Sequence, residues 1–294
     1  MSIKDRLKNK EPLISFEIFP PKRDYPVDII YDTIDKLKDL KPDFISVTYG
    51  AGGSTKDKTV EIASCIQKKY NLPSLAHLTC LTSTKEEIKS ILNSLKKNNI
   101  KNILALRGDY PKEVNYKYDS FNNHFEYAKD LIYYIKNNDY DFCIGAACYP
   151  EKHLESESLE KDIVHLKEKV DSGVDFLITQ LFFDNEIFYR FKEKIDKLGI
   201  KVPVLAGILP VLNKNQIKRI VSLTGCTLPR KFIRIIEKYE YSPEALKEAG
   251  VAYAVEQIID LLSWGSEGIH IYTMNKAKTT RRILENIYEI RKEL

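Results

Sequence analysis

Eight short apolar segments rich in β-branched and aromatic residues recur along the chain, at 13–19 (LISFEIF), 43–49 (DFISVTY), 74–80 (SLAHLTC), 101–106 (KNILAL), 142–148 (FCIGAAC), 174–181 (VDFLITQL), 202–208 (VPVLAGI) and 268–274 (GIHIYTM). Their length and composition predict strands, and their scant alternation of apolar with polar residues is the pattern of strands covered on both faces. Between them the spacing becomes helical. Ile88, Ile91, Leu92 and Leu95 follow Thr84, which forms a capping box with Glu87; Val60, Ala63, Ile66 and Tyr70 repeat the pattern earlier, and Ile163, Leu166 and Val170 repeat it later. Strands that alternate with helices pair in parallel, and eight such units predict an α/β fold, a closed (β/α)8 TIM barrel. An open doubly wound sheet is the architectural alternative, but no GxGxxG follows any of the segments. The longest intervals are 107–122, which reads as loop, and 209–267, which carries extra helical material around 213–238 and 244–264. Extra loops on a barrel commonly serve its active site.

Composition narrows the class without changing this picture. The 294 residues are 43% hydrophobic and 30% charged, which excludes collagen-like, disordered and disulfide-scaffold proteins. No Pro-, Gly- or Ser-rich linker divides the chain, so 1–294 reads as one domain. The 46 Lys and Arg are nearly balanced by 42 Asp and Glu, and the lysines are interspersed with acids along the helices as a solvated face, which argues against a nucleic-acid partner. No run approaches the ~18 apolar residues of a membrane span, and the start MSIKDRLKNKEP has no apolar stretch to act as a secretory signal. A cytoplasmic protein with no membrane partner is expected. Cys65, Cys80, Cys143, Cys148 and Cys226 are an odd count without CxxC, so buried reduced thiols are expected instead of disulfides or a thiolate metal centre.

Barrel chemistry sits where strands hand over to loops. The polar residues there are Glu17, Thr48, Tyr49, His77, Thr79, Arg107, Asp109, Tyr149, Glu151, His153, Gln180, Tyr272 and Asn275. A metal hydrolase would need paired histidines or a carboxylated lysine, and His77, His124, His153, His165 and His270 show no such pairing in sequence. A Schiff-base enzyme would need a lysine inside the barrel, and no strand core carries one. What survives is a carboxylate at Glu17, a second at Asp109 beside a glycine turn, the Gln180 amide, and several aromatic and hydroxyl groups. That set suits proton transfer and the binding of a flat heterocycle with polar edges.

Glu17 interrupts an apolar strand, where an ionised carboxylate is costly unless paired or used, and this points it to function. Asp109 serves equally well as a turn cap or a site residue on position alone. The glycines of YGAGG could make a tight turn before a helix capped near Ser54 without cradling phosphate. His77, inside a strand, reads more readily as a satisfied core histidine than as a catalyst. The Tyr and Phe stripes on the helices read as core.

Taken together, SFEIFPP, FISVTYGAGG, AHLTC, ILALRGD, the YPE and His segment at 149–153, ITQLFFD, GILPV and IYTMN run in order from about residue 12 to about 280 and resemble the bacterial-type 5,10-methylenetetrahydrofolate reductase family, whose catalytic domain is a flavoprotein barrel. The chain looks like the short form, without the regulatory domain of eukaryotic relatives. The resemblance implies noncovalent FAD and a ping-pong reaction. A nicotinamide co-substrate, NADH or NADPH, reduces the flavin, and reduced flavin gives hydride to 5,10-methylenetetrahydrofolate, yielding 5-methyltetrahydrofolate for one-carbon metabolism and methionine synthesis. It implies that Glu17 is the general acid that opens the five-membered ring to an iminium, a role for which partial burial of a carboxyl is useful. Asp109 is implied to lie near flavin and pterin as a catalytic and substrate-binding residue, and Gln180 to bind substrate through an amide that both donates and accepts.

By the same resemblance the FAD contacts are Thr48, His77, Arg107, Gly108, Asp109, Tyr127, Ala128, Tyr149, His153, Asp162, His165, Lys169 and Tyr272. Three positions depart from the pattern: His165 stands where Asn is expected, Glu168 where Arg is usual near the FAD phosphates, and Lys214 where an aromatic commonly packs over substrate. Lys214 could reach an anionic substrate group or point into solvent, and the second is favoured. A rival of another class is a barrel that keeps FAD but works only within a larger complex, against which Glu17, Asp109 and Gln180 speak. A flavin barrel oxidising an amine such as proline would explain FAD but not SFEIFPP or RGD. A homo-oligomer is compatible with the sequence, and small molecules, reduced folate and nicotinamide nucleotide, are the partners the resemblance implies.

Overall fold

The structure is a computed structural model that describes residues 2–9, 11–21, 25–49, 56–81, 83–109 and 123–293, with backbone alone for Lys56 and Asp57. The YGAGG glycines and the cap near Ser54 lie outside the described residues, as does most of the loop 107–122. Every predicted strand is present: β1 Leu13–Ile18, β2 Phe44–Val47, β3 Ser74–Thr79, β4 Asn102–Leu106, β5 Cys143–Cys148, β6 Phe176–Thr179, β7 Val204–Ile208 and β8 Gly268–Tyr272. They pair in parallel in chain order, and β8 closes on β1, so the sheet is a closed barrel and not the open alternative. The molecule is a single-domain (β/α)8 TIM barrel.

The helices are α1 Ile3–Leu7, α2 Asp28–Lys38, α3 Lys56–Tyr70, α4 Lys85–Lys97, α5 Ala128–Lys136, α6 Leu159–Asp171, α7 Asn185–Lys197, α8 Lys214–Thr224, α9 Arg230–Tyr239, α10 Pro243–Trp264, α11 Ala277–Asn286 and α12 Tyr288–Lys292. The capping box that predicted α4 is formed: Thr84 Oγ1 accepts from Glu87 N at 3.2 Å, and Thr84 N donates to Glu87 Oε2 at 2.9 Å. The helical material at 213–238 is two helices, because Gly225, at φ +68°, ends α8 in the left-handed region and Pro229 precedes α9. The phenylalanines of the helix stripes are buried, as Phe188, Phe191 and Phe232 show, whereas Tyr127, Tyr133 and Tyr288 are exposed. Tyrosine's hydroxyl lets it sit at the surface, so only part of the stripe is core. Four of the five thiols are buried, Cys65 is half-buried, and all are free.

Alternation along each strand divides the core. Ile14, Phe16, Ile18, Ile45, Val47, Ala76 and Leu78 face outward and pack with helix residues such as Ile30, Ile34 and Ile62. Leu13, Phe44, Leu75, Leu104, Phe176 and Leu205 face inward and fill the lower barrel together with Ile3 of α1. A five-residue helix is marginal by itself. This one is held by the barrel: Ile3 N donates to Asn102 Oδ1 at 2.8 Å, Lys4 pairs with Asp175 at 2.6 Å and Arg6 with Asp43 at 2.9 Å. Asp43 and Asp175 also accept from Ile14 N and Ile144 N of neighbouring strands. The amino-terminal end of the barrel is thus plugged and strapped, as the stability face of such a fold should be. Toward the other end the inward positions turn polar.

Candidate active site

Glu17, Tyr272 and Ser46 share one level of the barrel, since Glu17 pairs in register with both neighbours. Glu17 is only 7% exposed. Its Oε2 lies 3.5 Å from His77 Nε2 and 3.6 Å from His270 Nε2, so two imidazoles from β3 and β8 converge on one carboxyl oxygen. Those separations are contacts between polar groups, too long for good hydrogen bonds. His77 Nε2 is buried without a hydrogen bond, which corrects the expectation of a satisfied core histidine. Burial pulls the His77 pKa down to about 4, against the attraction of Glu17.

The ends of β1 and β8 are clasped by two of the motifs. Thr273 Oγ1 donates to Glu17 O at 2.6 Å; Asn275 accepts from Phe19 N at 2.9 Å and donates to Phe19 O at 2.8 Å. Met274 and Asn275 take left-handed backbone, φ +51° and +57°, to make this return. IYTMN thereby fixes the backbone that carries Glu17. Tyr272 OH donates to Thr179 O at 2.7 Å, and burial raises its phenol well above the usual range. A Cβ on Gly207 would lie 2.3 Å from Thr179 O and 2.8 Å from the Tyr272 ring, so only glycine lets β7 pass this contact. Gln180 follows β6 on the inward side, with Oε1 accepting from Leu181 N at 2.9 Å. Thr48, half-buried, ends β2 and accepts through its carbonyl from Thr59 Oγ1.

A second group lies to one side, in a cavity of about 440 Å³ between the ends of β4 and β5 and helices α5 and α6. Arg107, Tyr127, Ala128, Tyr149, His153, Asp162, His165 and Lys169 all line it, whereas Glu17, Thr48, His77, Gly108, Asp109, Gln180 and Tyr272 do not. Arg107 binds Glu155 through two nitrogens at 2.6 and 3.2 Å, which holds the Glu155 carboxyl below its usual pKa. Lys129 pairs with Glu168 at 2.7 Å, and Lys161 pairs with Glu157. Among the described cavity residues Lys169 is the one cation without a carboxylate partner; its amine, set deep, donates to Ala147 O at 2.6 Å, and burial lowers its pKa. A desolvated lysine therefore exists beside the barrel, but it comes from α6 and not from a strand core. Tyr149 and His153 meet edge to face with centroids 4.9 Å apart. Asp162 accepts from His153 N at 3.0 Å and so shapes the loop.

Asp109 is exposed and follows Gly108, whose φ of +85° turns the chain under Thr79. Its charge, after burial and Asp162, contributes to raising the Tyr149 phenol. His165 is exposed, 3.6 Å from Glu168. Lys214 neither points freely into solvent nor is free to meet a substrate anion: it is bound to Glu240 and sits 5.9 Å from the Tyr241 ring. Sequence reasoning missed His270, Ser15 and Ser46. The signal was available, because Ser15 and His270 lie two residues from Glu17 and Tyr272 and so share their inward face. Among the described residues no cluster of histidine, cysteine and carboxylate side chains could hold a metal ion.

A family model described as methylenetetrahydrofolate reductase matches residues 2–288. The 5,10-methylenetetrahydrofolate reductase of Pectobacterium carotovorum is 35% identical over 93% of this chain and 89% of its own length. Methylenetetrahydrofolate reductase (NADH) 1 of Arabidopsis thaliana is 35% identical over 98% of this chain, which spans 51% of that protein. Among solved structures, a Clostridium thermocellum protein described as binding two copies of 5-methyl-5,6,7,8-tetrahydrofolic acid superposes with a TM-score of 0.69 over 99% of both chains; at 15% identity it shows the fold alone. On the match of nearly its whole length, the chain belongs to the methylenetetrahydrofolate reductase family.

Proposed function

We propose that this protein reduces 5,10-methylenetetrahydrofolate to 5-methyltetrahydrofolate with a nicotinamide donor, through noncovalently bound FAD. The observation that carries the reading is Glu17: a nine-tenths-buried carboxyl at the carboxyl-terminal mouth of the barrel, where a planar substrate can enter and a proton can be delivered in a water-poor setting.

The cavity residues fit FAD. Lys169 is a deep ammonium whose one hydrogen-bond partner among the described residues is a backbone carbonyl, and a pyrophosphate would supply the missing anionic partner. Thr48, His77, Arg107, Gly108, Asp109, Tyr127, Ala128, Tyr149, His153, Asp162, His165 and Tyr272 would hold the rest of the group, from the lateral cavity to the mouth. When bound, FAD would accept hydride from the nicotinamide and later give hydride to the folate. The chain's own part is proton control and orientation. Glu17 holds the proton that opens the methylene-bridged ring, Gln180 offers its NH2 to the pterin edge because its Oε1 is already engaged by Leu181 N, and Asp109 completes the substrate contacts. The donor is assigned to NADH, since the Arabidopsis relative is named for it.

An absorbance spectrum of the purified protein, followed by anaerobic titration, tests the reading. FAD absorbance should be present or appear on adding FAD, bleach with NADH, and return with methylenetetrahydrofolate. A colourless protein that gains no flavin absorbance overturns it.

A further inference from the structure

His270 stands on β8, fully buried within the barrel. A buried imidazole is costly unless its nitrogens are engaged. His270 Nδ1 lies 2.8 Å from Ser15 Oγ, which is also 3.3 Å from Ile269 O. With the Ser15 hydroxyl donating to Nδ1, the shorter of its two contacts, the neutral ring carries its hydrogen on Nε2. Nε2 faces Ser46 Oγ at 3.4 Å and Glu17 Oε2 at 3.6 Å. The ring plane is fixed as well, by stacking on Phe44 at 5.9 Å and 20° and by an edge contact with Tyr272 at 5.4 Å and 87°.

We propose that His270 is the positioning residue of Glu17: anchored through Nδ1 by Ser15, its ring presents Nε2 to Oε2 and holds the carboxyl in a single orientation toward the mouth. Barrel closure puts His270 on the strand beside Glu17, and His77 approaches from the other side without hydrogen-bonding through Nε2. The carboxyl therefore sits in a two-sided imidazole cradle. His270 touches no reacting atom; it acts by limiting where the proton of Glu17 can point, and an acid misplaced by about 1 Å loses up to ~10²-fold in rate. The inference rests on the reading of Glu17 as the acid toward folate.

One NMR measurement and stopped-flow kinetics of four variants test it. Nitrogen-15 NMR of His270 in the protein without added ligands should show the hydrogen on Nε2, and a hydrogen on Nδ1 in the neutral ring overturns the anchoring. In stopped flow, His270→Asn, which keeps a polar atom near Ser15 but removes the one facing Glu17, should slow flavin reoxidation by methylenetetrahydrofolate about 10- to 100-fold while leaving flavin reduction by NADH unchanged. His270→Gln, which restores a polar atom near the Nε2 position, should recover most of that loss. Equal loss in both half-reactions, no loss in His270→Asn, or no recovery in His270→Gln overturns the proposal. If His270→Asn does not fold, Ser15→Ala, which loosens the anchor alone, should give a smaller loss confined to the same half-reaction, and an unchanged rate there overturns it. Glu17→Gln separates the two ideas. If that variant reoxidises at the wild-type rate, the reading of Glu17 fails; if it is slow and the His270 and Ser15 variants are not, the positioning role fails.

Discussion

Lys129 Nζ on α5 lies 2.7 Å from Glu168 Oε2 on α6, in the wall of the cavity proposed above for FAD. Glu168 occupies a position where the family resemblance calls for arginine. The lysine holds the Glu168 carboxyl below its usual pKa, and the carboxylate in turn raises the lysine. The effect on the cavity is one of cancellation: a cation that could meet phosphate is instead neutralised by its neighbour.

Glu168→Arg should therefore tighten FAD binding to the apoprotein by about 3- to 10-fold at low salt, and the gain should shrink as ionic strength rises because the pair is half-exposed. Stability should change little, as for any exposed pair, by less than about 1 kcal/mol. Flavin fluorescence titration at two salt concentrations measures it, and an unchanged or weaker affinity would show that phosphate does not approach this wall.

Glu17→Gln preserves the shape of the side chain and removes its transferable proton. The folate half-reaction should fall by the ~10²–10⁴-fold typical of general acid catalysis, while flavin reduction by NADH stays near wild type. Stopped-flow traces of the two half-reactions decide; equal loss in both would make Glu17 a structural or flavin-binding residue.

His77 gives the fold a pH signature. In the native state its pKa lies at about 4, pulled down mainly by burial, against an ordinary value of 6.5. Between those values the unfolded chain binds a proton that the folded chain refuses, so stability falls as pH drops through the window and is fully retained above it. The difference amounts to something on the order of 3 kcal/mol by pH 4. Urea denaturation of wild type and His77→Gln across pH 4 to 7 should show the wild type losing more stability on acidification; parallel curves would mean that the imidazole is not kept neutral by the fold.

Lys214→Ala should be kinetically silent, with KM and kcat within about twofold of wild type at low and high salt, because its ammonium is committed to Glu240 and not to the substrate. A rise in KM that fades with added salt would instead show the lysine exchanging Glu240 for an anionic group of the substrate.

The eight strands, the Thr84 cap of α4, and the choice of Glu17 as the residue out of place in its strand were readable in the chain by itself, because each depends on a local period or on one charge among apolar neighbours. Closure was foreseen from the number of units, but which inward side chains meet was not. His270 reaches Glu17 and Ser15 only because the last strand pairs with the first, and no local pattern states that Ser15↔His270 is the register. The same holds for Lys169, named from the sequence by resemblance alone, whose amine packing carries to Ala147, and for the partners of Lys129 and Lys214, Glu168 and Glu240, which lie far from them in the chain. Charge–charge geometry depends on distances of a few ångströms between elements far apart in sequence, and those distances are set by how the barrel closes and how the helices lie on it. The sequence alone thus determined the architecture and the identity of its exceptional carboxylate, while the tertiary structure decided that carboxylate's company.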